Sequence, residues 1–141
     1  MRISLEADYA VRIVQCLANE GVRLGAKAIS ENTRVTERFT LKILHKLVNS
    51  GIVKSFKGVG GGYELSRNPS DITLKQVIEV IEGPILISRC QQSDFDCCDD
   101  CLCYFHHIFD AAAKDMADRF DKVNFTPKNC NMGRRTMTEH K

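Results

Sequence analysis

Apolar positions in the first fifty residues recur at helical spacing. Ala10, Ile13, Val14 and Leu17 follow the i, i+3, i+4, i+7 order, which predicts an amphipathic helix over residues 3–19. Ser4 is placed as its N-cap, Glu6 and Asp8 fall in the first turn where the helix dipole favours carboxylates, and Gly21 stops it. A short second helix is expected over residues 26–32, followed by a turn through Thr33, Arg34 and Val35. Thr36 then caps a third helix reaching about residue 49. Its buried stripe is read as Phe39, Ile43, Leu44, Leu47 and Val48, its outer face as Arg38, Lys42, His45 and Lys46. Gly51 is well placed to close it in a left-handed conformation.

After Gly51 the period changes. Residues 52–56 and 63–66 have strand character, and Lys57-Gly58-Val59-Gly60-Gly61-Gly62 lies between them. So many glycines are read as a hairpin loop able to approach another surface, not as packing. Thr73 and Gln76 form a capping box ahead of a helix with Leu74, Val77, Ile78 and Ile81 on one stripe, ended by Gly83-Pro84. Residues 90–103 are too polar and broken for a helix or strand. Beyond them, residues 104–123 carry Phe109, Ala113, Met116, Phe120 and Val123 at four-three spacing, widened by Phe105, Ile108 and Ala112. A stripe so broad, so far from the main core, calls for a partner, and the same helix of a second copy is the economical one. The predicted fold is mainly α with a small β-hairpin. It comprises a winged helix-turn-helix domain (1–83), a cysteine-rich loop (84–103), a dimerisation helix (104–123) and a flexible tail (124–141).

Composition adds little until it is divided. A hydrophobic content of 43% and a charged content of 27% are ordinary for a globular chain of 141 residues. The chain has neither an apolar run of about 18 residues nor a signal-peptide core, so a cytoplasmic protein without a membrane partner is expected. Over residues 1–70 eleven lysines and arginines face six aspartates and glutamates, a net +5; over residues 71–141 nine face twelve, a net −3. A polyanion would meet the front half.

That half supplies the chemistry for duplex DNA. A helix in the major groove presents its N-terminal residues to base edges, and a hairpin beside it follows the phosphate backbone. The candidate DNA contacts are Thr36, Arg38, Lys42, His45 and Lys46 on the helix, with Lys57, Gly60, Gly61 and Gly62 at the wing. A phosphate-cradling enzyme loop would need Gly-Lys-Ser/Thr opening a helix, whereas Gly62 opens a strand. Neither a nucleophile–base pair nor a carboxylate pair sits in a recognisable setting, so an enzyme is not expected.

Seven cysteines without a secretory signal point to metal or redox chemistry. Five of them, Cys90, Cys97, Cys98, Cys101 and Cys103, cluster in the loop, while Cys16 and Cys130 stand apart, Cys130 as a spare thiol. Zinc would use Cys98-x2-Cys101 and Cys103-x2-His106, but these pairs are one residue apart, where structural zinc sites usually insert a dozen or more. An iron–sulfur cluster is larger and accepts thiolates spread round a loop, which suits Cys90, Cys97 and Cys103 and leaves a fourth, exchangeable position. One alternative keeps DNA binding but replaces the cluster with zinc or with a thiol–disulfide switch among Cys97, Cys98, Cys101 and Cys103. A protein-interaction adaptor that has lost DNA binding is the alternative from another class.

The combination of Asp8-Tyr9-Ala10-Val11-Arg12, Phe39-Thr40-Leu41-Lys42-Ile43-Leu44, the wing from Lys57 to Tyr63 and the cysteine loop before a long helix resembles the iron–sulfur transcription regulators that include IscR, NsrR and RirA. The likeness covers about residues 1–125. It implies a homodimer on palindromic promoter DNA, with repression the expected sign and cluster state controlling occupancy. Cys90, Cys97 and Cys103 match the family's cluster cysteines. For the fourth ligand, His106 matches IscR-like members with a 2Fe–2S cluster, and Asp8 matches NsrR-like members with a 4Fe–4S cluster; the chain has both. It departs from the pattern in its extra thiols, since Cys98 or Cys101 could enter the ligand set, in a wider first intercysteine gap, and in Leu41, which stands where IscR-like helices carry a base-reading glutamate.

Overall fold

A computed structural model of the chain describes residues 2–94 and 103–127. Five α-helices and one two-stranded sheet follow in the order α1 (Leu5–Glu20), α2 (Ala26–Thr33), α3 (Glu37–Asn49), β1 (Val53–Phe56), β2 (Gly62–Leu65), α4 (Leu74–Glu82) and α5 (Tyr104–Asp121). Local chemistry sets most of these boundaries. Ser4 Oγ accepts from the Ala7 N–H at 3.1 Å, and Gly21, in the left-handed region at φ 64°, closes α1. Arg34, also left-handed at φ 56°, forms the turn into α3, which Thr36 caps. At the far end of α3 the N–H groups of Gly51 and Ile52 return to the Val48 and Leu47 carbonyls, the paired bonds of a Schellman motif with glycine at its left-handed position. Both halves of the Thr73–Gln76 capping box form at the start of α4.

β1 and β2 are antiparallel, with Val53 opposite Leu65 and Phe56 opposite Gly62. Leu24 adds a single antiparallel bridge to Tyr63, so the α1–α2 connection pairs with β2 on the turn side of the hairpin. The core beneath is built from Ile13, Val14 and Leu17 of α1, Ile29 of α2, Ile43, Leu44 and Leu47 of α3, and Val77 of α4.

Two inward assignments differ from the sequence reading. Phe39 is 38% exposed and meets Tyr9 edge-on at 5.9 Å, while Thr40 is fully buried. Residues 40, 43, 44 and 47 are the true i, i+3, i+4, i+7 face, so helix geometry selects the threonine over its more apolar neighbour. The expected flexible tail also starts too early. Leu74 N–H donates to Val123 O, Asn124 pairs with Thr73, and Phe125 enters the core at 3% exposure with its N–H on Pro69 O. One apolar residue in a polar stretch has no periodicity to reveal it. The rest of the tail, from residue 128, lies outside the described residues, as does Cys130.

α5 lies against α4 and divides its apolar residues between two faces. Ala113 is buried and Phe109, Met116 and Phe120 are half-buried, whereas Tyr104, Phe105 and Ile108 face outward at 70%, 64% and 43% exposure. No helix among the described residues is long and apolar enough to cross a membrane.

Candidate nucleic-acid interface and cysteine loop

The outer surface of α3 carries Arg38, Leu41, Lys42 and His45, with Thr36 exposed at its start and Lys46 half-buried at the edge. Two of these cations already have a counter-charge. Glu6 of α1 places Oε1 2.5 Å from Lys42 Nζ and Oε2 3.0 Å from Lys46 Nζ. The hydrogen bond from Lys42, followed by that from Lys46, holds the Glu6 carboxyl below its ordinary value of 4.5. His45 Nε2 lies 3.2 Å from Asn49 Nδ2, one turn further along the same face.

The wing is a structured turn. Gly58 and Gly60 take φ 84° and 76°, and the Gly61 N–H closes the turn on Gly58 O at 3.0 Å. A Cβ on Gly61 would fall 2.4 Å from Phe56 O, and one on Gly62 would fall 2.6 Å from Leu24 O. Packing therefore does demand glycine at both positions, contrary to the sequence reading of this run. Lys57 and Val59 are exposed at the tip, Val59 completely.

Arg23, which sequence reasoning missed, fastens this hairpin. Its guanidinium carbon stands 3.4 Å from the centre of the Phe56 ring, its Nε is 3.5 Å from Glu64 Oε2, and its terminal nitrogen donates to Gly60 O at 3.4 Å. One side chain thus touches both strands and the tip. Its partners are more than thirty residues away in sequence, so neither motif nor period marks it.

Cys90 lies in a short 3-10 turn, Arg89–Gln91, and Cys103 is the N-cap residue of α5. Both are half-buried free thiols. Cys97, Cys98 and Cys101 lie outside the described residues. The turn packs on α5 through one glutamine. Gln91 Oε1 accepts from the Ile87 and Ser88 N–H groups at 2.7 and 3.0 Å, and Nε2 donates to Asp110 Oδ1 at 3.0 Å. The other oxygen of Asp110 is 3.1 Å from His106 Nε2. Cys90, Cys103 and His106 are therefore carried by two elements joined to each other, although among the described residues no three His, Cys, Asp or Glu side chains converge as a metal site. Asp8 sits apart from this junction in sequence, in the first turn of α1, with its carboxylate 2.9 Å from Arg12. Cys16 is half-buried in α1, where burial raises its thiol above the usual 9.0.

Comparison with known proteins agrees on one family. The model of Rrf2, described as iron-dependent transcriptional regulators, matches residues 3–127. Protein aau3 of Rhizobium meliloti is 34% identical over 99 residues, which span 69% of this chain and 64% of that protein. NsrR of Bacillus subtilis, an HTH-type transcriptional regulator, is 27% identical over 79% of both chains. Among solved structures, CymR, the global cysteine regulator of B. subtilis, superposes with a TM-score of 0.73 at 25% identity, covering 89% of this chain and 93% of CymR.

Proposed function

The chain belongs to the Rrf2 family of transcriptional regulators, and from that premise we propose a dimeric, DNA-binding repressor whose promoter occupancy is set by an iron–sulfur cluster. The family is one of DNA-binding regulators and not of enzymes. The observation that carries the finer reading is the junction of the Cys90 turn with the start of α5. The soft thiols of Cys90 and Cys103, with the His106 imidazole, have the donor chemistry such a cluster takes. Cys97 would complete the thiolate set, with Cys98 or Cys101 in reserve and Asp8 as the rival to His106.

A bound cluster would supply iron–thiolate bonds that oxidants, nitric oxide or iron loss can break. The chain's own residues turn that into a mechanical signal. Gln91 holds the turn bearing Cys90 against Asp110, so a change in the loop pulls on α5 directly. Asp110 occupies His106 Nε2, which leaves Nδ1 as the nitrogen for a metal. Outward-facing Tyr104, Phe105 and Ile108 fit a seam with a second copy, whose rotation would alter the distance between two α3 helices. Thr36, Arg38, Lys42, His45 and Lys46 would enter the major groove, with Lys57 and the glycine turn on the neighbouring backbone.

Protein isolated without oxygen is expected to be coloured, to contain iron and sulfide, and to lose DNA affinity at least tenfold when the cluster is removed. Colourless protein without iron or sulfide, or equal binding in both states, rejects the cluster reading. The likeness to the cysteine regulator CymR supports a second reading, in which zinc or a thiol–disulfide switch among Cys97, Cys98, Cys101 and Cys103 does the sensing. Bound zinc, or DNA binding that follows dithiothreitol, selects it.

A further inference from the structure

Lys42 and Lys46 stand one turn apart on α3, an i, i+4 pair of like charges that repel each other. Both nevertheless converge on one anion. Glu6 of α1, 36 and 40 positions earlier, gives Oε1 to Lys42 and Oε2 to Lys46. Its side chain is 28% exposed, against 53% and 37% for the two lysines. The carboxylate is thus the sheltered partner, on a helix turn held down by the fully buried Ala7 and Ala10. The ammonium groups end flexible four-carbon stems that can swing toward solvent. One oxygen for each ammonium is also what the two non-bridging oxygens of a phosphodiester offer. Glu37, the carboxylate in the first turn of α3 itself, is exposed and forms no ion pair among the described residues.

We infer that Glu6 is an internal competitor of DNA: in the free protein its carboxylate fills the place on Lys42 and Lys46 that a backbone phosphate takes in the complex. The inference rests on α3 facing the duplex. A phosphate within reach of both ammonium groups meets the carboxylate at close range. Two anions repel each other there, so the lysines exchange one for the other. The cost of that exchange is the same on every duplex. Nonspecific binding consists of phosphate contacts and has nothing to offset it, whereas a site that adds base contacts does. Glu6 thereby sets a threshold that keeps the protein off duplexes offering phosphates alone.

The test uses the full-length protein isolated without oxygen and a mixed-sequence duplex, with affinity read by fluorescence anisotropy over a range of salt concentrations. At low salt Glu6→Gln is expected to bind about three- to fivefold tighter than wild type, and to lose that gain when Lys42→Gln and Lys46→Gln are also present. Glu37→Gln removes the same charge without touching the lysines, so any gain it gives persists in their absence. Should the double lysine variant melt early, each single lysine variant gives the same comparison, with the gain reduced instead of abolished. No gain in Glu6→Gln, or an equal gain with and without the lysines, overturns the competitor role alone. Lysine variants that bind as tightly as wild type at every salt concentration show that α3 does not face the duplex, and the underlying reading falls with the inference.

Discussion

Thr40 shows how a single buried atom departs from the pattern around it. Its Oγ1 is buried without a hydrogen-bond partner among the described residues, in a helix face otherwise made of isoleucine and leucine. An unsatisfied buried hydroxyl costs about 1–3 kcal/mol. Thr40→Val keeps the branched shape and removes the hydroxyl, so urea unfolding should give a gain of about 1 kcal/mol. Arg23 acts in the opposite sense, through contacts on the surface. Arg23→Gln removes its stacking on Phe56 and its ion pair with Glu64 while leaving the core alone. The loss of stability should be about 1 kcal/mol or less. Sequence-specific DNA affinity is expected to fall several-fold because the tip is no longer pinned at Gly60; fluorescence anisotropy on a selected duplex and thermal unfolding, measured together, check both.

Between elements, the contact of α1 with α3 sets the charge available for binding. Glu6 neutralises part of Lys42 and Lys46, so Glu6→Gln adds one net positive charge to that surface. Affinity for nonspecific duplex should rise, and the slope of log K against log salt should steepen by about 0.9, read from a titration of salt concentration. The Glu6 carboxyl is depressed below 4.5, so the charged form favours folding. Its contribution is fully present above pH 4.5 and is lost as pH falls through the depressed value, whereas Glu6→Gln should lack that acid-side dependence. Elements of this kind were legible in the residues wherever the signal is local. Ser4, Thr36, Thr73 and Gly51 mark helix ends because a cap needs only its own turn, and the glycine run marks the hairpin. Partners across the fold were not legible. Nothing near Glu6 in sequence announces two lysines on α3, and nothing near Arg23 announces the wing; Arg38, Lys42 and His45 do face outward as the helical period predicts, while Lys46 is half-buried beside the Glu6 carboxylate. The burial of Thr40 in place of Phe39 shows the same limit, since hydrophobicity outvoted position.

Across the whole molecule, α5 lies against α4, is joined to the Cys90 turn in its first half, and is anchored just past its end to the body that carries α3. Near its start Asp110 holds the Cys90 turn through Gln91, and just past its end Phe125 is buried among α1 side chains while Gln15 Nε2 donates to the Phe125 carbonyl at 3.4 Å. Phe125→Ala should therefore destabilise by about 3–5 kcal/mol, measured by urea denaturation, as expected for emptying a core site. The same variant would loosen the far end of α5. A regulatory change in the loop should then reach DNA with less effect, seen as a smaller difference in affinity between the two sensing states.

The burial of Phe125 also fixes how the protein comes apart. A boundary after α4 divides the chain on paper, but Gln15 of its first helix donates to the Phe125 carbonyl 110 positions further on, and the Phe125 side chain joins the same core cluster as Ile13 and Val14. Amide hydrogens of Ile13 and of Ala113 should accordingly exchange with the same opening free energy and respond together to added urea, because neither half can open globally while the other stays closed.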